Sequence, residues 1–299
     1  MKLLRLVPSN TNLDFLKLRN YAFIFSTIII LGTLLSLFVN SLNYGIDFKG
    51  GILLELRSKN INSSNIDDLR SKISTLEAGE VSIQNFGKDV DFLVRIQKQE
   101  GDEKQQIAMI EKVKSITNKD YEIRRSEFVG PVVGDELKTA GMLAVGLALI
   151  SIMVYIWFRF EWQFSIAAII ALTHDVVTTV GLFSILQLEF NLATIAAILT
   201  TAGYSINDTV VIFDRVRENL RRYKSKDHYF IYNKSINETL SRTVITSVTT
   251  LVALFIIFFF GGAVLSDFSL AMIWGVLIGT FSSIFVAVAI LTFFNIDKG

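Results

Sequence analysis

The chain has no cysteine and only two histidines in 299 residues. Without thiols there is no disulfide framework and no thiolate metal site. Neither histidine stands in an HExxH pattern, so no zinc site is expected. Nothing matches GxxxxGK[ST]; Lys49–Gly50–Gly51 reads as a turn beside a strand, and the chain is not expected to hydrolyse nucleotides or to act as an enzyme. The formal net charge of +1 carries no information about partners, and no nucleic-acid partner is expected.

A further absence is positional. Of the 29 Lys and Arg residues only Lys138, at the very edge of its run, falls within the long apolar runs Asn20–Leu42, Leu137–Phe158, Phe164–Leu186, Leu192–Phe213, Thr243–Gly262 and Phe268–Phe294. Each run holds about 20 residues or more, the length that crosses a hydrocarbon layer of roughly 30 Å as a helix. Hydrophobic residues make up 51% of the chain, with 24 Phe and a mean hydropathy of +0.48. The reading is an integral membrane protein with six spans. The first run is longer than the apolar core of a signal peptide and no small-residue cleavage site follows it, so a retained span is expected.

Charge gives the orientation. Lys2, Arg5, Lys17 and Arg19 precede the first span against one acid, Asp14. The positive-inside bias places segment 1–19 in the cytoplasm, and six spans return the tail 295–299 to the same side. The loop 215–242, with Arg215, Arg217, Arg221, Arg222, Lys224, Lys226, Lys234 and Arg242, is then cytoplasmic, as is the short turn at Arg159 between Trp157 and Trp162. The two outward turns carry Glu189 and Asp267 and no base.

Residues 43–136 lie on the far side of the membrane under this topology. With 14 basic and 17 acidic residues they have the mixed surface of a soluble domain. Alternation predicts strands at Ile52–Arg57, Val81–Phe86, Phe92–Ile96 and Tyr121–Phe128, with a turn at Gly87–Lys88–Asp89. Helical spacing predicts helices over Ile66–Leu76 and around Ile107–Ile116. The order strand, helix, strand, strand, helix, strand suits a ferredoxin-like α+β domain. Both helices would cover one sheet face and leave the other for a partner.

Two acids lie well inside the spans, Asp175 and Asp208. A carboxylate at the centre of a membrane helix costs about 2.5–3.5 kcal/mol on insertion scales, so each needs burial, a partner or a proton. In the fourth span Thr200, Thr201, Tyr204, Ser205 and Asp208 recur at spacings of three and four and form one polar stripe. The stripe is either an interhelical hydrogen-bond seam or a proton path; intramembrane acids default to function. Asp175 follows His174 and precedes Thr178 and Thr179. It is placed either to share a path with Asp208 or to cap a neighbouring helix through those threonines, while His174 reads first as a packing residue. Arg242 opens the fifth span with Thr246, Thr249 and Thr250 on its face. It is either an ordinary cytoplasmic-end arginine or a cation long enough to pair with Asp208. Gly275, Gly279 and Ser283 recur every four residues, a spacing that lets helix backbones approach closely.

Several stretches resemble the SecD/SecF family of protein-export membrane proteins, within the RND superfamily, and its SecF branch in particular. They are YGIDFKGG at Tyr44–Gly51, VGPVVGDEL at Val129–Leu137, His174–Asp175, GYSINDTVVIFDRVREN at Gly203–Asn219, SINETLSRTVITSVTTL at Ser235–Leu251 and GTFSSIF at Gly279–Phe285. They run through the whole chain in the family's order. The resemblance implies a subunit that works with SecD at the SecYEG channel, with YajC as a further partner, in the bacterial inner membrane. It also implies use of the proton-motive force to promote export of unfolded polypeptides, protons being the coupling ion and no cofactor being needed. The family's proton-linked pair falls on Asp208 and Arg242; with Asp175 they make up the expected proton pathway, and Thr201, Tyr204, Ser205 and Thr246 are its supporting polar stripe. Phe281 departs from the family's Tyr, and the last span lacks a Pro near Ala287–Leu291. Competing readings are a scaffold for SecD, a small-molecule exporter subunit, and an aspartyl protease. The last is disfavoured because Ile206–Asn207–Asp208 is not a GxGD sequence.

Overall fold

The computed structural model describes residues 11–60, 66–76, 81–86, 88–97, 103–294 and 296. Lys2, Arg5, Gly87 and all but one residue of the tail 295–299 therefore lie outside the described residues.

Among the described residues six helices are long and apolar enough to cross a membrane. After a 3-10 turn at Leu16–Leu18, α1 is Arg19–Asn40; α5 is Pro131–Arg159, α6 Trp162–Leu186, α7 Leu192–Arg222, α8 His228–Phe260 and α9 Ala263–Ser282. The last continues through a π-turn, Ser283–Ala287, into α10, Val288–Leu291. Between α1 and α5 come β1 (Asn43–Tyr44), α2 (Ile46–Lys49), β2 (Gly51–Ser58), α3 (Ile66–Ser74), β3 (Val81–Phe86), β4 (Lys88–Gln97), α4 (Glu103–Thr117) and β5 (Tyr121–Val129); β6 (Glu189–Phe190) lies between α6 and α7.

The four-stranded sheet has the order β3-β4-β2-β5, antiparallel throughout, as a ferredoxin-like domain requires. Ile52, Leu54 and Leu56 of β2 alternate onto the face covered by Leu69 and Ile73 of α3 and Met109 and Val113 of α4. This core is separate from those of the bundle. The opposite sheet face meets the α6–α7 turn of its own chain, where Arg95 pairs with Glu189.

The bundle departs from the expected boundaries in two places. Helix α5 starts at Pro131, six residues before the second apolar run, because proline is tolerated in a first helical turn, where its missing N–H has no helical partner to lose. The segment 215–242, expected as a loop, is almost wholly helical: α7 runs on to Arg222 and α8 starts at His228, leaving 223–227 as the turn. Arg215 is held between Glu218 and Glu238 (2.6 Å each), and Asn219 donates to Ser235 (3.0 Å), so charged residues extend the hairpin beyond the apolar runs.

Helix α9 is the most enclosed span, packed on α6, α7 and α8, whereas α5 and α8 keep most of their apolar side chains outward. Leu143, Leu147, Val252 and Phe259 are exposed, as lipid-facing positions should be.

Candidate functional site

The polar layer inside the bundle is built by α6, α7 and α9. A β-carbon on Gly275 would collide with Thr201, and one on Gly279 would lie 2.9 Å from Cβ of Ser205. The small-residue spacing therefore brings α9 against α7 within this chain. Close approach lets three short polar side chains reach one carboxyl. Ser205 donates to Asp175 Oδ2 at 2.5 Å, Ser282 donates to the same oxygen at 2.7 Å, and His174 Nδ1 meets Oδ1 at 3.0 Å. Asp175 is fully buried, and its bonds join α6, α7 and the end of α9. One turn toward the α7–α8 hairpin, Thr209 and Ser283 share a hydrogen bond of 2.8 Å. Ser283 opens the π-turn, an irregularity frequent at functional sites.

Asp208 differs from Asp175 in its partners. It is 2% exposed, yet its Oδ2 has no hydrogen-bond partner. No hydrogen bond joins the two carboxyls; Ser205, three residues before Asp208 on α7, stands between them.

The expected Asp208–Arg242 ion pair is not formed. Arg242 acts on Asp208 electrostatically, but the two are outside ion-pair distance. The reason is the face it occupies: Arg242 and Thr249 are exposed on α8 while Thr243 and Ser247 turn inward. The single stripe of α7 likewise resolves into two lines. Thr201, Ser205 and Asp208 are buried; Thr200, Gly203 and Asn207 are exposed, with Tyr204 between them. Thr201 contacts Met272 Sδ at 3.4 Å, and Tyr204 reaches Ser247 at 3.5 Å. The Thr246 hydroxyl donates to Thr243 O of its own helix (2.9 Å). Thr178 and Thr179 cap no neighbour: both bond Asp175 O within α6, at 3.1 and 2.8 Å. His174 is more than packing, since it is bonded to Asp175, although its ring also lies against Phe281.

Ser282 and the ring of contacts at the domain junction were not legible in the sequence. Ser282 lay inside a recognisable small-residue segment, but only the packing of α9 aims it at Asp175. At the junction, β1 pairs in parallel with β6, and Gly45 N donates to Phe190 O at 2.9 Å. Asp47 accepts from the backbone N–H of Leu192, the first residue of α7, at 2.9 Å. Gly50 and Gly51 adopt φ of 73° and 135°, conformations that need glycine, and so turn the chain from α2 into β2.

Comparison with known proteins matches this architecture. The model of the SecD/SecF protein export membrane protein C-terminal region matches residues 108–297, and that of the SecD/SecF GG motif matches 35–60. The chain is 42% identical over 295 residues to the protein translocase subunit SecF of Rickettsia rickettsii, covering 97% of this chain and 94% of the relative. Against the same subunit of Rickettsia bellii it is 43% identical over 299 residues, covering 99% and 97%. The crystal structure of SecDF from Thermus thermophilus, described as a translocon-associated membrane protein, superposes with a TM-score of 0.85 at 34% identity, covering 96% of this chain and 39% of the longer SecDF chain. SecDF in a super-membrane-facing form matches with a TM-score of 0.69 at 35% identity, covering 94% and 38%. Buried acids in a six-helix bundle, the glycine-turned junction and these matches lead to one assignment: the chain belongs to the SecD/SecF family of protein-export membrane proteins.

Proposed function

We propose that the chain is the SecF-type subunit of a protein-export complex that uses the proton-motive force. Asp208 is its proton-carrying group and Arg242 the cation that balances its charge. The observation that carries this reading is the contrast between the two buried acids. Asp175 has its oxygens committed to two serines and a histidine, whereas Asp208 keeps an oxygen free of any such bond. A carboxyl that must be dehydrated and is left underbonded is the one whose charge can change during a cycle.

The exposed polar side chains of Thr200 and Asn207 on α7 and of Arg242 on α8 support a partner that covers them, because polar groups facing lipid are costly. A SecD-type subunit fits there, and the SecDF chain, in which this fold makes up 39% of the length, is consistent with such a partner. Within the same reading the hairpin 215–242 is cytoplasmic and the α+β domain faces the outside of the bacterial inner membrane. The complex works at the SecYEG channel, with YajC as an additional partner and an unfolded polypeptide as cargo.

The energetics suffice. One charge crossing 100 mV supplies about 2.3 kcal/mol, which shifts a two-state equilibrium about fiftyfold. A change of charge on Asp208 would move α7 between two packings against α9. In vesicles holding this chain with its SecD-type partner and the channel, Asp208→Asn is expected to abolish both proton flux and the proton-driven stimulation of secretion. Wild-type flux together with wild-type secretion would leave Asp208 a structural group and the chain a scaffold.

A further inference from the structure

The outer end of α7 is tied to the α+β domain by contacts that nothing in the proton reading requires. Arg95, on the sheet face turned toward the bundle, forms an ion pair with Glu189 in the α6–α7 turn, and both side chains are mostly buried. Arg95 Nη1 also donates to Gln84 on β3 at 3.2 Å, so its guanidinium is held from the domain side as well. Asp267, where α9 begins, contributes a second negative charge to the same region. Asp47 fills the role of a helix cap from another element: its Oδ2 takes the N–H of Leu192, one of the donors that every helix start leaves unpaired. The parallel β1–β6 bridge adds backbone bonds across the same junction. A cavity of about 310 Å³ lies beside these contacts, bordered by Arg125, Glu127, Ser266 and Asp267. An apolar cluster that includes Tyr44, Phe48, Phe183 and Phe190 seats α2 on the bundle, and the cavity beside it leaves the sheet face itself joined to the α6–α7 turn through these polar contacts.

Helix α7 is unbroken from Leu192 to Arg222, and Asp208 lies 16 residues from its start, about 24 Å along the axis at 1.5 Å per residue. A stiff helix with a charge-changing group at one level and a fastened end at the other transmits displacement between them. We propose that Arg95, Glu189 and Asp47 are the link that carries a shift of α7 into the extramembrane domain. The inference rests on the reading of Asp208 given above. These three are positioning residues: none of them touches the proton path.

The absence of cysteine makes the test direct. Nitroxide labels are placed at Lys114→Cys on α4 and Leu186→Cys at the end of α6, both exposed, in the full chain reconstituted with its SecD-type partner. Electron–electron distance measurements compare the charged and neutral states of α7 through Asp208→Asn. The expected result is that Asp208→Asn shifts the distance distribution in the otherwise native chain. With Arg95→Gln the same substitution is expected to produce a shift at least threefold smaller, while the pair Arg95→Glu with Glu189→Arg restores it. A shift equally large in the Arg95→Gln chain overturns the link and leaves the reading of Asp208 standing. No shift from Asp208→Asn in the native background overturns both. Restoration by the charge-reversed pair separates transmission from simple misfolding, because that pair changes the same two positions.

Discussion

At the scale of residues, two aspartates in one apolar bundle have opposite surroundings. Asp175 is a fastener: Ser205 and Ser282 donate to one oxygen, His174 meets the other, and three helices are held by one side chain. Interhelical hydrogen bonds in membranes average about 0.6 kcal/mol and reach about 1.7. Removing the carboxyl also strands two hydroxyls and an imidazole in a buried site. Asp175→Ala is therefore expected to lower stability by about 1–3 kcal/mol, and Asp175→Asn by less, since the amide keeps an acceptor. Unfolding in a denaturing detergent titration measures both. If Asp175→Ala were as stable as the native chain, the fastener assignment would fail. Asp208 offers the reverse expectation. Its substitution by Asn should cost transport and little stability, because no hydrogen bond to Oδ2 is lost.

At the scale of elements, the seam between α7 and α9 decides how the polar groups meet. Gly275 lies against Thr201 and Gly279 against Ser205, with no room for a β-carbon at either. A methyl group there forces the helices apart, an overpacking cost of typically about 1–3 kcal/mol. Gly146 on α5 has nothing within 4 Å of a would-be Cβ. Gly275→Ala is expected to lower the thermal unfolding midpoint, whereas Gly146→Ala should leave it unchanged or raise it, alanine favouring a helix by roughly 0.5–1 kcal/mol over glycine. Equal effects at the two sites would show that helix propensity, and not the seam, sets the response. The four-residue spacing was legible in the sequence because an α-helix repeats every 3.6 residues. Its partner was not, because the same spacing serves contacts within a chain or between chains.

At the scale of the whole molecule there are separate apolar cores, one under the sheet and others in the bundle. They should not melt together, and pH separates them. In the α+β domain Lys72 binds Asp68 and Asp120 at 2.6 and 2.8 Å. The bond to Lys72 holds the Asp120 carboxyl below its ordinary range, and the two aspartates hold the Lys72 ammonium above its own. A depressed acid contributes stability fully above its unfolded pKa, about 3.9, and loses it as pH falls through the lower folded value. A raised base contributes fully below its unfolded pKa, about 10.4, and loses it as pH rises through the folded one. The pair therefore supports the domain between roughly pH 4 and 10. Hydrogen exchange on the full chain should show protection in β2 and β5 falling below pH 4 while the bundle keeps its own. Asp120→Asn should remove the low-pH part of that dependence, and an unaltered profile in that variant would refute its assignment to this pair.

What the sequence determined by itself is what repeats locally or counts along the chain. The six apolar runs set the number of spans, alternation and helical spacing set the order of elements in the α+β domain, and the scarcity of charge in the runs singled out Asp175 and Asp208. These survive because helix period, strand alternation and span length are properties of neighbouring residues. Tertiary structure decided the partners. Ser282 lies 107 residues from Asp175, and Glu189 lies 94 from Arg95. Nothing local to either member names the other. The face of α8 that carries Arg242 was equally a matter of packing: the sequence supplied a cation of sufficient length, and the rotation of α8 turned it outward. Which of two buried acids is held by hydrogen bonds and which is left free depends on where three helices touch, and that is fixed only when small residues on α9 allow the helices to close.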